Sequence, residues 1–311
     1  MLKKIRCLSS SERATRTEQT QVVTELRQNH SLTHILQVVP LPKSIYYYQH
    51  NQLQHSQHEN DDRITAEIMN VKHDHPAYGY RRVTLALQRH HILVNHKKVQ
   101  HIMSAEGLQS TAYTQRIRKY NSYKGMVGKV AKNHLKRRFM TDRPYQKLVS
   151  DISEFRWGHQ TTNERLYLEP VMDLYSDEIL SFNISDHPTV AFALKPLHEA
   201  LERLPEHHYR TYVHTDQGFQ YQNYLWRKEL KSHHVCQSMS RKATCLDNAQ
   251  MESFFHLMKA ETVASHHYQT SEELEAAMRV WMKYYNECRI KEKLGGQSPI
   301  DYRISTTEQA A

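Results

Sequence analysis

Three acids in this chain stand where carboxylates could carry chemistry: Asp151 in "LVSDISEF", Asp216 in "VHTDQGF" and Glu252 in "NAQMESFF". Phosphoryl transfer assisted by two divalent ions needs a few carboxylates that hold both ions about 3.5–4 Å apart, one at the attacking oxygen and one at the leaving oxygen. Mg²⁺ suits such a set, because it takes hard oxygen ligands and keeps several waters. Taken singly, two of the acids have ordinary explanations. Glutamate is common on solvated helix faces, and aspartate ahead of a glycine commonly closes a turn on its own backbone. Asp151 is harder to explain in this way, because it falls between Val149 and Ile152 inside a strand-like run, where aspartate is disfavoured.

The elements that must position these acids begin at Lys147. "KLVSDISEFRW", "RLYLEPVMDLYS" and "EILSFNIS" alternate as strands and lie close enough in sequence to form an antiparallel meander. "TVAFALKPLHEALERL" reads as a helix capped by Thr189. The strand in "YRTYVHTDQGFQY" is stopped by Asp216, Gln217 and Gly218, and then come a helix in "NYLWRKELKSH", a short strand in "VCQS" and the helix that carries Glu252. Strands and helices in this order give an α/β sheet with crossover helices. The expected placement puts Asp151 inside the first strand, Asp216 just past the fourth and Glu252 near the start of the helix after the fifth. Phe254 and Phe255 would seat that helix on the sheet. Asp247 and Asn248 read as capping that helix or ordering the loop before it, with Asn248 four residues before Glu252 on the same face. His214 reads as a packed strand-end residue, or as support for the acids.

Ahead of this region the chain is helical and basic. Residues 18–54 read as three short helices, a candidate helix-turn-helix. Between 59 and 110, Ile64, Ile68 and Val71 mark one helix, Pro76 and Gly79 break it, and Val83 and Leu87 start another. Asn95 and Gly107 then bracket a third helix with Val99, Ile102 and Met103 inward and Lys97, Lys98 and His101 outward. A capped helix after a tight turn is the geometry of a recognition helix in the DNA major groove. Lys97 and Lys98 are therefore candidate DNA contacts.

Residues 116–143 carry ten Lys/Arg against one Asp/Glu, whereas residues 144–311 carry 18 against 23. A basic segment binds polyanions by releasing their counterions, while an acidic domain repels phosphate unless divalent metal intervenes. That asymmetry favours a nucleic-acid enzyme over a passive coat. Arg116, Arg118, Lys119, Lys136, Arg137 and Arg138 in the linker are candidate phosphate contacts, as are Arg241 and Lys242 ahead of the Glu252 helix.

Other classes are disfavoured. No apolar run approaches the roughly 18 residues of a membrane helix. The four cysteines form no CxxC pair, and His91, His96 and His101 recur every five residues, which does not align them on one helix face. A cytoplasmic location is expected. The expected division is a helical segment at 1–58, a helix-turn-helix-like DNA-binding module at 59–110, a basic linker at 111–143, a catalytic core at 144–263 and a helical extension at 264–311.

"VSDISEF", "LYLEPVMDLYSDEI", "VHTDQGFQY", "QSMSRKATCLDNAQMESFFHLMKAE" and "YYNECRIKEKLGGQSPIDYR" together resemble the OrfB-type transposases of the insertion-sequence-three family, whose core is similar to retroviral integrase. The likeness covers residues 59–303 in order, including "HPAYGYRRV". The family's catalytic acids fall on Asp151, Asp216 and Glu252, with 35 residues between the last two. The resemblance implies a ribonuclease-H-like mixed sheet with flanking helices, preceded by small all-helical modules. It also implies two Mg²⁺ or Mn²⁺ ions and the breakage and joining of element DNA ends. The implied partners are terminal-repeat and target DNA, an OrfA-type protein or fusion, and other copies of the chain in a synaptic complex. Two further readings stay open: a DNA-binding regulator with an inactive core, and a metal-dependent nuclease without strand transfer. The last motif, "YYNECRIKEKLGGQSPIDYR", suggests no chemistry beyond a helix ended by Gly295 and Gly296.

Overall fold

The computed structural model describes residues 16–54, 57–110, 129–161, 163–206, 208–241, 245–264 and 266–308. Contacts divide the chain into two units, residues 1–73 and 74–311. In the first, α1 (Arg16–Leu26), α2 (Leu32–Val38) and α3 (Lys43–Gln54) enclose a small core of Val23, Ile35, Val39, Leu41 and Tyr46. Helix α4 (Gln57–Asp74) buries Ile64, Ile68 and Val71 at helical spacing.

The second unit opens with α5 (Tyr80–Arg89) and α6 (His96–Ala105), which bury Val83, Leu87, Val99 and Met103. Asn95 caps α6 as its sequence predicts, its side-chain oxygen accepting the Lys97 N–H at 2.9 Å. At the far end Gly107 takes a left-handed φ of 66°. This lets the Leu108 N–H reach the Met103 carbonyl at 2.8 Å.

A six-stranded sheet follows: β1 (Lys147–Ser150), β2 (Ser153–Arg156), β3 (Arg165–Asp173), β4 (Ile179–Ser185), β5 (Tyr212–Thr215) and β6 (Cys236–Met239). Strand β3 pairs antiparallel with β4 on one side and with β1 and β2 on the other, while β1, β5 and β6 run parallel. "KLVSDISEFRW" is thus two strands and not one, and Asp151 stands just beyond β1 instead of inside a strand. Both pieces keep one register on β3, with Ser150 opposite Val171 and Ser153 opposite Leu168. Asp151 and Ile152 therefore lie opposite Pro170 and Glu169. Pro170 has no N–H to give the ladder, and its carbonyl accepts the Ser150 hydroxyl at 2.8 Å. The Ile152 N–H donates to the carboxylate of Asp151 at 2.9 Å.

Alternation along the strands feeds two cores. Val149, Leu168 and Met172 join one with α10 (Ala249–Glu261) and α11 (Ser271–Glu287). Leu148, Val171 and Val213 join the other with α7 (Val190–Glu202), α8 (Phe219–Gln222) and α9 (Tyr224–Ser232). Helices on both faces of this mixed sheet give the ribonuclease-H-like α/β fold. Phe254 and Phe255 lie in the first core, and burying each contributes roughly 1.5–3 kcal/mol toward seating α10.

The terminal motif finds its role here. Arg289, 2 % exposed, pairs with Glu261 at 2.8 Å, and Glu261 also accepts from Trp281 Nε1 at 3.1 Å and faces Arg82 at 3.6 Å. The Tyr78 hydroxyl accepts the Tyr284 hydroxyl at 3.0 Å and the Ile290 N–H at 3.3 Å. Lys291 and Lys293 reach Asp177 at 2.6 and 2.9 Å. Gly296, with φ 85°, leaves a Cβ only 3.1 Å from Leu85 Cδ2, so a side chain there would strain the backbone and crowd α5. "HPAYGYRR" and "YYNECRIKEKLGGQSPIDYR" are two halves of one clamp. The second half ends in α12 (Pro299–Glu308), whose Asp301 meets Arg89 of α5 at 3.3 Å.

One buried acid makes stability depend on pH. Asp173 accepts N–H bonds from Tyr145 and Tyr175, both at 3.2 Å, yet burial outweighs them and pushes its carboxyl up to about 7. A group raised in the folded state contributes stability that is full below its unfolded value and is lost as pH rises through the folded one. Denaturant midpoints of the wild type should therefore fall between about pH 4 and 8, and Asp173→Asn should flatten that slope. An unchanged slope would place the dependence elsewhere.

Candidate active site

Asp151 and Asp216 are brought together by strand register. Val149 lies beside His214 in the parallel β1–β5 pair, and the same offset two residues further sets Asp151 beside Asp216, just past both strand ends. Neighbouring strands are about 4.8 Å apart, and the C-terminal ends of parallel strands are where α/β sheets place ligands. Alternation points both carboxylates to the α10 side of the sheet. Asp216 also makes the turn that its neighbours suggest, accepting the Gly218 N–H at 2.7 Å.

Glu252 stands in the first turn of α10 and is exposed, flanked round the helix by the buried Met251 and Phe255. The three carboxyls are held above the ordinary range. For Asp151 the causes are burial, then Asp216, with Glu252 adding to them; for Asp216 the cause is burial, and for the largely exposed Glu252 partial desolvation. The like charges therefore sense one another.

Asn248 does not cap α10, since its side chain makes no cap bond. Its buried amide favours the charged form of Asp151 from nearby, yet neither its nitrogen nor its oxygen has a partner in hydrogen-bonding geometry. An orphaned amide of this kind commonly marks a missing ion or water.

Asp247 is not a cap either. It is fully buried and accepts from Arg241 Nε at 2.9 Å, the Arg241 N–H at 3.1 Å, Arg137 Nε at 2.9 Å and Asn133 at 2.9 Å. Arg241 first, then its other donors, hold the Asp247 carboxyl far below the usual range against the cost of burial. Arg137 and Arg241 are thus tied to one carboxylate, although both guanidinium groups stay substantially exposed. Lys97, Lys136 and Arg138 are exposed and Lys98 is partly buried, while Arg116, Arg118, Lys119 and Lys242 lie outside the described residues.

His214 ties the same loop to the sheet. Ser238 Oγ accepts the His134 N–H at 2.9 Å, so its own proton goes to His214 Nδ1 at 2.8 Å, and Nε2–H donates to the Asp247 carbonyl at 2.9 Å. Burial lowers the pKa of His214 and keeps the ring neutral.

Lys259 escaped the sequence reading. It lies seven residues after Glu252, two turns along the same helix, a spacing that could have revealed it. Its Nζ donates to Ser153 Oγ at 2.7 Å and sits 5.0 Å from the Phe155 ring centroid. Burial lowers its pKa, while Glu154 and Asp151 oppose that shift.

The residues present fit a hard divalent cation. Their donors are all oxygens, Asp151 and Asp216 repel one another without a counter-charge, and the Asn248 amide has no partner. Among the described residues, no three His, Cys, Asp or Glu side chains already converge as a ligand set. Gly218 sets a limit on the geometry, because a Cβ there would lie 3.0 Å from Asp216 Oδ1 and 3.1 Å from Gln220 Oε1. Gly218→Ala should leave the fold intact but lower activity roughly 10- to 100-fold by displacing the carboxylate. Wild-type rates from that variant would show that the Asp216 position is not critical.

Comparison with known proteins agrees with this architecture. An HTH-like domain model matches residues 59–116, and two integrase core domain models match residues 141–245 and 252–306. The putative transposase InsK for insertion sequence element IS150 of Escherichia coli (strain K12) is 37 % identical over 286 residues, covering 92 % of this chain and 98 % of that protein. An uncharacterized transposase-like protein of Haemophilus influenzae is 39 % identical over 70 % of this chain and 97 % of its own length. The transposase InsF for insertion sequence IS3A of E. coli (strain K12) is 33 % identical over 72 % of this chain and 76 % of its own length. The chain belongs to the insertion-sequence-three family of transposases, with an integrase core behind an HTH-like domain. No helix among the described residues is long and apolar enough to cross a membrane.

Proposed function

We propose that this transposase cleaves the ends of its insertion sequence and joins them to target DNA, with Asp151, Asp216 and Glu252 as its catalytic carboxylates. The observation that carries the reading is the placement of Asp151 beside Asp216 at adjacent parallel strand ends, with Glu252 close enough to raise the Asp151 carboxyl. These three side chains would hold two Mg²⁺ or Mn²⁺ ions. When bound, such ions neutralise phosphate charge and acidify the attacking hydroxyl. Asp151 and Asp216, fixed by the Ile152 and Gly218 N–H groups, present rigid oxygens at the floor of the site. Glu252 approaches from the helix side. His214 and Asp247 hold the loop that delivers α10, and Asn248 offers a free donor and acceptor beside Asp151.

DNA contacts are proposed for Lys97 and Lys98 on α6, for Arg116, Arg118, Lys119, Lys136, Arg137 and Arg138 of the linker, and for Arg241 and Lys242. Exposure of Lys97, Lys136, Arg138 and Arg241 supports this for the described members. An OrfA-type partner and a multimeric assembly on paired DNA ends belong to the same reading.

The test incubates the purified chain with labelled duplexes bearing its element's terminal repeats and Mg²⁺ or Mn²⁺. The expected products are free 3′ ends and their joints to target DNA. Cleavage without joining would make the protein a nuclease, and binding without either reaction a regulator.

A further inference from the structure

Across the sheet from Asp151 lies a fourth acid that the reaction above leaves unused. Glu169 of β3 is fully buried, and by strand alternation it shares the α7–α9 face with Val171, away from Asp151 and α10. Its Oε1 is 2.5 Å from Ser150 Oγ, and the Tyr221 hydroxyl lies 3.0 and 2.9 Å from Oε1 and Oε2. No cation among the described residues is within ion-pair distance of it; its neighbours are two neutral hydroxyls.

Counting protons decides its state. Ser150 has one hydroxyl proton but two close acceptors, Glu169 Oε1 and the Pro170 carbonyl at 2.8 Å. The single Tyr221 proton is already taken up by the Glu169 oxygens. Were Glu169 ionised, one of the two Ser150 contacts would be oxygen against oxygen with no hydrogen between them. A proton on Oε1 completes the set. Glu169 then donates to Ser150, Ser150 donates to the Pro170 carbonyl, and Tyr221 donates to Oε2. Burial pushes the carboxyl in the same direction, and the charges of Asp151 and Asp216 add to it.

The two hydroxyls lead to the two catalytic aspartates. Ser150 immediately precedes Asp151. Tyr221 belongs to α8, where its N–H donates to the Gly218 carbonyl at 3.1 Å, and the Gly218 N–H holds the Asp216 carboxylate. We propose that Glu169 is a positioning residue for this site: a protonated, uncharged acid that locks the strand end bearing Asp151 to the helix that follows Asp216. What it positions rests on the transposase reading, whereas its protonation rests on the hydrogen bonds alone. Uncharged, it fixes both ligand-bearing segments without adding a further anion beside the carboxylates.

Infrared difference spectra of the metal-free protein test the protonation at about pH 8, where an ordinary carboxyl is ionised. The wild type should show the carbonyl band of a carboxylic acid that Glu169→Gln lacks; no such difference would overturn the assignment. Positioning is read by Mn²⁺ titration and by kcat for end cleavage. Glu169→Gln, whose amide can donate to Ser150 and accept from Tyr221, should stay near wild type. Glu169→Leu and the milder Tyr221→Phe should bind Mn²⁺ about 10- to 100-fold more weakly. Equal Mn²⁺ affinity in the Leu, Phe and Gln variants would overturn the positioning role. A wild type that cleaves no DNA would sink the transposase chemistry, yet the infrared band and the Mn²⁺ titration would still decide the state and role of Glu169.

Discussion

Asp151→Asn, Asp216→Asn and Glu252→Gln should each reduce end cleavage and strand transfer by roughly 10³-fold or more, and combining them should cost little beyond the first, because residues that act as one unit are not additive. Binding to terminal-repeat duplex should persist, since the proposed DNA contacts lie elsewhere. Stability should move the other way. Asp151 and Asp216 have carboxyls raised by burial, and in Asp151 also by Asp216. The stability linked to a raised carboxyl is present below the unfolded value near 3.9 and is lost as pH climbs through the folded value. Without metal at neutral pH, each aspartate therefore weakens the fold, and its Asn variant should melt higher than the wild type. That advantage should shrink as pH falls toward about 4. Glu252, being exposed, should leave the melting temperature almost unchanged on substitution. Thermal melts in chelator beside end-cleavage assays give the readout. Variants that lose activity and melt lower would make the two aspartates structural and defeat the metal-site reading.

Arg289→Ala should be the most damaging substitution outside the site. The guanidinium is 2 % exposed and its partner Glu261 7 % exposed, and Glu261 also anchors Trp281. Removing Arg289 leaves the buried Glu261 facing only the more distant Arg82, and breaking a buried pair costs about 3–5 kcal/mol. Replacing both members with apolar residues of similar volume, as in Glu261→Leu with Arg289→Met, should recover part of that loss, because Trp281 Nε1 and Arg82 lose this carboxylate as well. Denaturant titration of the two single variants and the double variant gives the coupling. Full stability in Arg289→Ala would show that the clamp between the terminal motif and the α5–α6 region does not depend on this pair. Activity should fall only in step with folded protein, because neither residue faces the carboxylates.

Much of the sheet and its helices could be read from local pattern. Alternation found the strands, Thr189 and Asn95 cap the helices their positions predict, with side-chain bonds of 3.1 and 2.9 Å, and Phe254 and Phe255 point inward as their type demands. Pro170 was visible in the sequence, but its consequence was not. A proline stops a ladder only on the side its nitrogen faces, and that side depends on which strand becomes the neighbour. The one-strand reading of "KLVSDISEFRW" failed opposite this proline, where pairing with β3 lapses at Asp151 and Ile152. Asp247 and Asn248 could be read as a cap or as ordering the loop, because Asx residues at helix starts commonly cap, and for Asp247 the loop role is the one found. Long-range partners won: Arg137 lies 110 residues from Asp247 and Arg241 only six, and no local rule anticipates the first.

The sequence by itself determined the family and the basic front with its acidic core, and it singled out the three acids proposed for the site, because motif order, residue type and charge are properties of the chain. Tertiary structure alone decided which groups meet. Parallel register set Asp151 beside Asp216, a buried Asp247 restrained two of the proposed DNA-contacting arginines, and "HPAYGYRR" met the C-terminal motif more than 200 residues away. The protonation state of Glu169 also belongs to the fold, since it follows from how many hydrogens three buried oxygen groups have to share.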